Sequence, residues 1–320
     1  MKATATRVQV LPDPSDDPWP VLWQSFERSL RADNASPRTL EVYGDAGHKF
    51  YGWLTERNRP TDPALIAKRD IEDFLIWLRE TPTAKTGRPA MPATVRARFS
   101  ALRRFFNWLE EEEEIQHSPM ARMHGPKVEE PPPAVLSEDE QRRLLAACHG
   151  PDFEDRRDAA LLRLRLDAGL RRGEVAGMKL DDLDLGGQVV KILGKGGRPG
   201  LAFFGTKTAR DLDRYLRLRT RHSNAGLPAL WLAQKGGLTG DGIHHLIQRR
   251  ARLAGIERTI HPHLTRHSWA HAMKAAGASD EDVMTLGRWR DRKVMARYGA
   301  SAALARAQET HRRISPGDRL

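Results

Sequence analysis

Between Ser118 and Val135 the chain carries five prolines and no recurring apolar position. A proline inside a helix removes a backbone donor and collides with the preceding turn, and it cannot pair within a central strand. No helix or buried strand can cross such a stretch, so the chain must fold as two halves joined by an extended, semi-rigid linker. Its 320 residues allow two domains with an ample core in each. The division expected is 1–17 as a flexible tail, 18–117 as a helical domain, 118–136 as linker, 137–314 as a larger domain and 315–320 as a second tail.

The first half reads as four helices. Trp19–Leu30 forms the first. Ser36 followed by Pro37 is a helix start, with serine as cap and proline in the first turn, and that helix runs to about Glu56. Ala67–Glu80 is the third, followed by a loop of Pro, Thr and Gly over Pro82–Pro92. In the fourth, Thr94–Glu110, the residues Val95, Phe99, Leu102, Phe106 and Leu109 recur at helical spacing and form its buried stripe. Arg96, Ser100, Arg103 and Asn107 line another face, which by itself reads as solvated. The acidic run Glu110–Glu114 is expected in solvent.

The second half opens at Ser137, where Ser137-Glu138-Asp139-Glu140 has the capping-box spacing, with a helix to about Cys148. Phe153–Ala168 is a helix burying Leu161, Leu162, Leu164 and Leu166, ended by Gly169. Two short β-rich runs within Gln188–Phe204 flank Gly194-Lys195-Gly196-Gly197 and read as a hairpin with Lys195 at its tip. Helices follow at Thr206–Arg221, Thr239–Ala254, after Pro262, after Ser279 and around Tyr298. The fold expected is therefore mostly α, with a small β-hairpin sheet in the second domain.

Charge separates the halves. Up to Leu136 there are 19 basic and 20 acidic residues; beyond it there are 34 and 22, so the whole net charge of +11 resides in the second part. That asymmetry points to a polyanion partner whose binding weakens steeply with salt. With Cys148 as the single cysteine, an intrachain disulfide and a four-thiolate zinc site are excluded. No apolar run approaches the roughly 20 residues of a membrane span, and the first residues lack an apolar signal core. A soluble intracellular protein with no membrane partner is expected.

The chemistry concentrates between His263 and Tyr298. His263 and Arg266 lie one helical turn apart and can share a face. A guanidinium beside an imidazole repels a metal cation but matches two phosphate oxygens. Tyr298 is the only tyrosine downstream; Tyr43, Tyr51 and Tyr215 lie in other contexts. A phenol attacking a phosphodiester needs activation and neutralisation of charge at phosphorus. Upstream, Arg171 follows Gly169-Leu170 at the turn into a short helix, with Glu174 three residues on. Singly, each residue is ordinary. A histidine near a helix start is more often structural, a tyrosine near a helix end usually packs, and an exposed lysine usually does nothing. A zinc site on His261, His263, His267 and His271 is disfavoured, because Arg266 intrudes and no H-E-x-x-H pattern occurs. Gly194-Lys195-Gly196 lacks the Ser/Thr and upstream Gly of a nucleotide-binding loop.

As an ordered set, these pieces resemble the tyrosine recombinases, the phage-integrase family: G-L-R-x-x-E at 169–174, the Gly-Lys-Gly hairpin, H-x-x-R-H at 263–267, L-G-x-W at 286–289 and a terminal tyrosine. The resemblance covers nearly the whole chain from about Trp19. It implies a helical core-DNA-binding, SAM-like domain at 18–117 and a catalytic domain at 137–314. It further implies that Arg171 and Arg266 clamp the scissile phosphate and that Tyr298 attacks it to form a 3′-phosphotyrosyl link. Lys195 would protonate the leaving 5′ oxygen, His263 would assist proton transfer or bond the phosphate, and Trp289 would donate its indole N–H to a phosphate oxygen. Glu174 would orient Arg171, with His267 a structural neighbour. Many members read Leu-Gly-His where this chain reads Leu286-Gly287-Arg288-Trp289. Counting back nine residues from Tyr298 lands on Trp289, which makes Arg288 a phosphate contact; a register shift of one would exchange the two.

What the resemblance implies as activity is site-specific recombination on double-stranded DNA with short inverted half-sites, with no metal and no cofactor. Arg96, Arg103 and Arg288 become candidate DNA contacts. Ser301–Ile314 becomes a tail that docks on a neighbouring protomer in a tetramer on DNA. Accessory factors would be possible partners, and the place of action the cytoplasm, at the nucleoid. A type IB topoisomerase-like nicking–closing enzyme is the alternative, sharing the chemistry without partner contacts.

Overall fold

The computed structural model describes residues 17–83, 86–128, 133–194, 197–289, 291–292, 307–308 and 310–319. The chain forms two compact units, residues 1–129 and 130–320. The fold is mostly α with a small antiparallel sheet.

The first unit holds four helices, α1 (Trp19–Ala32), α2 (Pro37–Glu56), α3 (Lys68–Glu80) and α4 (Pro92–Glu111). The start of α2 is built as its sequence requires: Ser36 Oγ accepts from Thr39 N at 3.1 Å, with Pro37 at the first helical position. All five residues of the α4 stripe are buried, while Arg96, Ser100 and Arg103 are exposed and Asn107 is half-buried. Aromatics are scarce overall, yet 13 of the 21 lie between Trp19 and Trp108. They build this core: the Phe105 ring lies 5.0 Å from Trp19 and 4.6 Å from Trp23, and Phe50 lies 4.9 Å from Phe74. Such pairs add to the burial of large apolar surfaces.

Two boundaries differ from the sequence expectation. Asp17, assigned to the free tail, accepts from Tyr51 Oη at 2.7 Å and from Trp19 N at 3.0 Å. Within the stretch expected as linker, 118–136, Met120 and Met123 are buried in the first core. Two methionines at this spacing carry too little periodicity to be read as core.

In the second unit, α5 (Glu138–Ala146) opens with the predicted capping box: Glu140 N donates to Ser137 Oγ at 3.1 Å and Ser137 N to Glu140 Oε2 at 2.8 Å. Helix α6 (Phe153–Ala168) is the centre of this unit, packed against α5, α8 (Thr206–Arg219) and α10 (Pro262–Ala275). Leu161, Leu162 and Leu164 are buried as expected and Leu166 is half-buried; Arg157, Asp158 and Arg165 are buried too. Asp158 is satisfied by Arg157, Arg249 and Arg250, at 2.7–2.9 Å. Those ion pairs join α6 to α9 (Gly240–Leu253).

The hairpin forms as β2 (Val189–Leu193) and β3 (Pro199–Phe203), antiparallel with Leu193 opposite Pro199. A third strand, β1 (Leu183–Asp184), pairs with β2, and β4 (Leu232–Ala233) pairs with β5 (Gly236–Gly237). These two-residue pieces were not anticipated, since they are too short for any alternation to appear. The short helix α7 (Arg172–Ala176) follows Gly169, and α11 (Asp280–Gly287) starts at Ser279, whose Oγ accepts from Asp282 N at 3.0 Å. Among the described residues no helix is long and apolar enough to cross a membrane.

Gly47 on α2 tests the first core. A Cβ there would lie 2.3 Å from the Trp23 ring. Alanine would favour an isolated helix by about 1 kcal/mol over glycine, but forcing a rigid indole aside costs about 1–3 kcal/mol. Gly47→Ala is therefore expected to lower the urea midpoint of unfolding followed by tryptophan fluorescence; a raised midpoint would contradict this packing.

Candidate active site

The site is assembled where three helix ends meet. Helix α6 stops at Gly169, whose φ of +59° is the left-handed conformation glycine tolerates. A Cβ at Gly169 would also lie 2.3 Å from the Trp269 ring, so both the turn and the close approach require glycine. Two residues on, Arg171 stands at the N-cap of α7. Glu174 reaches back from the third position of that helix and accepts from Arg171 N at 2.8 Å and from Arg171 Nη1 at 2.7 Å. The guanidinium is fixed from behind, and Arg171 Nη2 donates to Arg288 O at 3.1 Å.

Arg266 projects from α10 and is almost wholly buried. Its Nη1 donates to Gly169 O at 2.5 Å and its Nη2 to Gly287 O. These carbonyls belong to the C-terminal ends of α6 and α11, where the helix dipoles favour a cation. Both bonds fix the direction in which the guanidinium points. The face of Trp289 lies 4.1 Å from the guanidinium carbon, a cation–π contact. Trp289 in turn rests 5.8 Å from Trp269. A Cβ at Gly287 would lie 2.3 Å from the Trp289 ring, so the glycine of L-G-x-W is what lets the indole lie flat beneath the arginine.

Arg288, expected at a phosphate, is turned inward. It caps α11 in the left-handed region, with φ +56°. Its Nη2 donates to Glu174 Oε2 at 3.0 Å and its Nη1 to Leu286 O at 2.6 Å. The side chain is largely buried, so it acts as a strut between α11 and Glu174; the reversal of chain direction at the helix end aims it there. Burial by itself would raise the Glu174 carboxyl, but Arg288 and then the Arg171 backbone and side chain outweigh it and hold the pKa below the usual carboxylate range. Glu174 thus serves two arginines rather than one.

His263 occupies the first turn of α10, one turn before Arg266, and its ring centroid lies 6.2 Å from that of His267. Partial desolvation, followed by the positive surroundings of His261, Arg165, Arg266 and Arg172, lowers its pKa and favours the neutral ring. Lys195 and Tyr298 lie outside the described residues. The hairpin that carries Lys195 is closed by Gly194 N donating to Arg198 O at 2.7 Å and by Gly197 at φ +71°.

The other three tyrosines are accounted for. Tyr215 is fully buried, donates to Leu230 O at 2.9 Å, accepts from Leu232 N at 3.0 Å, and has its pKa pushed up by burial to about 12. The Tyr51 phenol is held by Asp17, which raises its pKa. Tyr43 packs on the first core. Among the described residues no three His, Cys, Asp or Glu side chains come together as metal ligands would.

Two contributors escaped the sequence reading. Trp269 supports both Gly169 and Trp289, and Arg165 lies fully buried on α6. The only signal for Arg165 was its place inside the apolar run from Leu161 to Leu166, and Arg163 in the same run reaches outward to Asp211, so the run alone does not say which arginine is buried.

Residues 134–304 match the family model described as the phage integrase family, and residues 22–116 match that of the phage integrase N-terminal SAM-like domain. The tyrosine recombinase XerC of Pseudomonas fluorescens (strain Pf0-1) is 32% identical over 245 residues, which span 75% of this chain and 78% of that protein. Among solved structures, the fold is similar to that of a XerH site-specific recombinase bound to a palindromic difH substrate in a post-cleavage complex. The TM-score is 0.72 at 17% identity, covering 90% of this chain and 83% of the other. It is also similar to a lambda integrase tetramer bound to a Holliday junction, with a TM-score of 0.65 at 17% identity over 87% of this chain and 76% of the other.

Removing the Glu174 charge tests this arrangement. Because its folded pKa is depressed, Glu174 stabilises the fold above its unfolded pKa, and that contribution disappears as pH falls through the folded value. Glu174→Gln is expected to cost about 3 kcal/mol near neutral pH, the scale for breaking a buried ion pair. In urea titrations the gap from wild type should close as pH is lowered through the carboxylate range. A gap independent of pH would show that the carboxylate charge is not what holds the two arginines.

Proposed function

The chain belongs to the phage integrase family, and on that premise we propose that it is a site-specific DNA recombinase that breaks and rejoins DNA through a 3′-phosphotyrosyl link. The observation that carries the reading is the pair of guanidinium groups drawn to neighbouring carbonyls, Arg171 to Arg288 O and Arg266 to Gly287 O. Two fixed cations on adjacent peptide units form a cradle for the non-bridging oxygens of one phosphodiester.

In the proposed reaction, Tyr298 Oη attacks phosphorus and its proton passes to the neutral His263 ring or is carried off by solvent. The P–O bond to the 5′ oxygen breaks, and Lys195 protonates the leaving oxygen. Arg171 and Arg266 carry the charge that develops on the phosphorane, with Trp289 donating its indole N–H. The phosphotyrosyl link keeps the energy of the broken bond, so a 5′ hydroxyl from the same or another strand can reverse the step without a nucleotide cofactor. Glu174 and Arg288 hold the cradle in place, with His267 a neighbour on the α10 face.

Double-stranded DNA is the proposed substrate. The excess of basic charge in the second part supports it, and the exposed Arg96 and Arg103 on α4 are proposed DNA contacts of the first unit. Assembly as a tetramer on paired half-sites is proposed with the segment after Tyr298 docking on a neighbouring protomer; accessory factors and action at the nucleoid belong to the same reading. The lambda integrase tetramer on a Holliday junction supports the assembly by likeness of fold.

A covalent trap decides the chemistry. Protein incubated with nicked fragments of source DNA in the presence of a chelator is expected to yield denaturation-resistant adducts at one inverted repeat, absent in Tyr298→Phe. Adducts spread without site preference would overturn recombination in favour of nicking and closing. Arg171→Ala and Arg266→Ala should each slow adduct formation about 100- to 1,000-fold, the scale for losing one donor to a developing oxyanion, while duplex binding in gel shifts falls far less. Truncation after residue 300 should spare binding of one protomer to DNA and abolish strand exchange; unchanged exchange would refute the docking role of the tail.

A further inference from the structure

Helix α6 carries two arginines in its apolar middle, and they have opposite fates. Arg163 reaches outward to Asp211, whereas Arg165 is fully buried. Taking a guanidinium out of water is costly, and a leucine in such a place is often neutral or stabilising. Arg165 has no carboxylate within ion-pair distance among the described residues. Its hydrogen-bond partners are Thr265 Oγ1, 3.3 Å from Nε and 3.1 Å from Nη2, and Pro262 O. Its Nη1 has no partner among the described residues. Burial lowers its pKa to about 10, which still leaves it charged at neutral pH. The Thr265 hydroxyl also donates to Pro262 O, at 3.0 Å. One carbonyl, at the residue that opens α10, is thus held from beneath by two side chains. His263 is the next residue, and Arg266 is one turn further.

A fully buried cation with no carboxylate within ion-pair distance among the described residues, gripping the first turn of the helix that carries two site residues, is best explained by what it orients. We propose that Arg165 is a positioning residue for the recombinase site: through Pro262 and Thr265 it sets the first turn of α10, and with it His263 and Arg266, against the end of α6. The inference rests on the reading of His263 and Arg266 as phosphate-site groups. It has an electrostatic consequence. His263 faces His261 from the preceding loop, Arg266 and His267 from its own helix, Arg165 from α6 and Arg172 from α7, with His244 of α9 acting on His261. The cations among them disfavour the imidazolium, and Arg165 is the only one sealed from solvent screening by full burial apart from Arg266 itself.

The test uses the full chain. Arg165→Leu removes fork and charge; Arg165→Lys keeps a charge without the fork. Circular dichroism and melting temperature report the fold. An NMR titration of the histidine ring protons, with the His263 signal identified by its loss in His263→Gln, reports the electrostatics without any DNA. Adduct formation on the DNA recovered by the covalent trap reports the reaction. In Arg165→Leu, with melting at or above the wild-type temperature, His263 is expected to titrate at higher pH than in wild type. The acidic limb of adduct formation should move the same way, and the rate at neutral pH should fall about 10- to 100-fold, the scale of a small misplacement of reacting groups, with duplex binding unchanged. Arg165→Lys should return the titration toward wild type but not the full rate. An unchanged titration together with an unchanged rate in Arg165→Leu would overturn the proposal, as would a rate loss that merely follows a lower melting temperature. Should Arg165→Leu fail to fold, Thr265→Val, which removes one acceptor, must slow adduct formation with the fold intact, or the proposal falls. If wild type forms no adduct on any DNA, the recombinase reading fails on its own, and the His263 titration still decides the coupling to Arg165.

Discussion

The arrangement of the second unit depends on one buried guanidinium. Arg266 lies between the C-terminal ends of α6 and α11, bonded to Gly169 O and Gly287 O, with the Trp289 face 4.1 Å away. A cation in this position would be expensive to bury were it not for two helix ends whose unpaired carbonyls need donors. The same bonds give three elements a common reference point, since α6, α10 and α11 are each tied to it. The glycines follow from this constraint. Both carbonyls must approach closely, and both Trp269 and Trp289 must lie flat against the peptide, which leaves no room for a Cβ at 169 or 287.

Glu174 is the second organising group, and it answers a different problem. Arg171 and Arg288 are two cations at close quarters, bridged by one buried carboxylate and by the Arg171–Arg288 backbone contact. The carboxylate cancels part of the repulsion and fixes the Arg171 guanidinium by a direct ion pair. The result is a set of guanidinium groups oriented by the carbonyls of Gly169, Gly287 and Arg288 and by one carboxylate. Arg165 lies behind them, bonded to Pro262 O and Thr265 Oγ1.

Much of this was legible in the chain. The caps at Ser36, Ser137 and Ser279 were readable because capping is local: the serine and its acceptor lie within one turn. The α4 stripe and the hairpin were readable because their period repeats several times. The pieces around 171, 263 and 289 pointed to the family only as an ordered set, since each alone is an ordinary residue. What was not readable shares a cause. The strands β1, β4 and β5 have two residues each and no period, and Met120 and Met123 pack on a core whose position the local sequence does not encode. Arg288 points inward because φ +56° at a helix end turns it there, and no residue spacing reports that angle.

By itself, then, the sequence determined the division at the prolines, the helices, the hairpin and the chemical types gathered downstream of Gly169, because each of these depends on residues close together along the chain. Only the tertiary structure decided that Glu174 serves two arginines, that Arg288 is a strut and that Arg165 lies beneath α10. Those outcomes depend on which helix ends meet, and the contacts that decide it join residues 97 to 117 positions apart, across which no local pattern carries information.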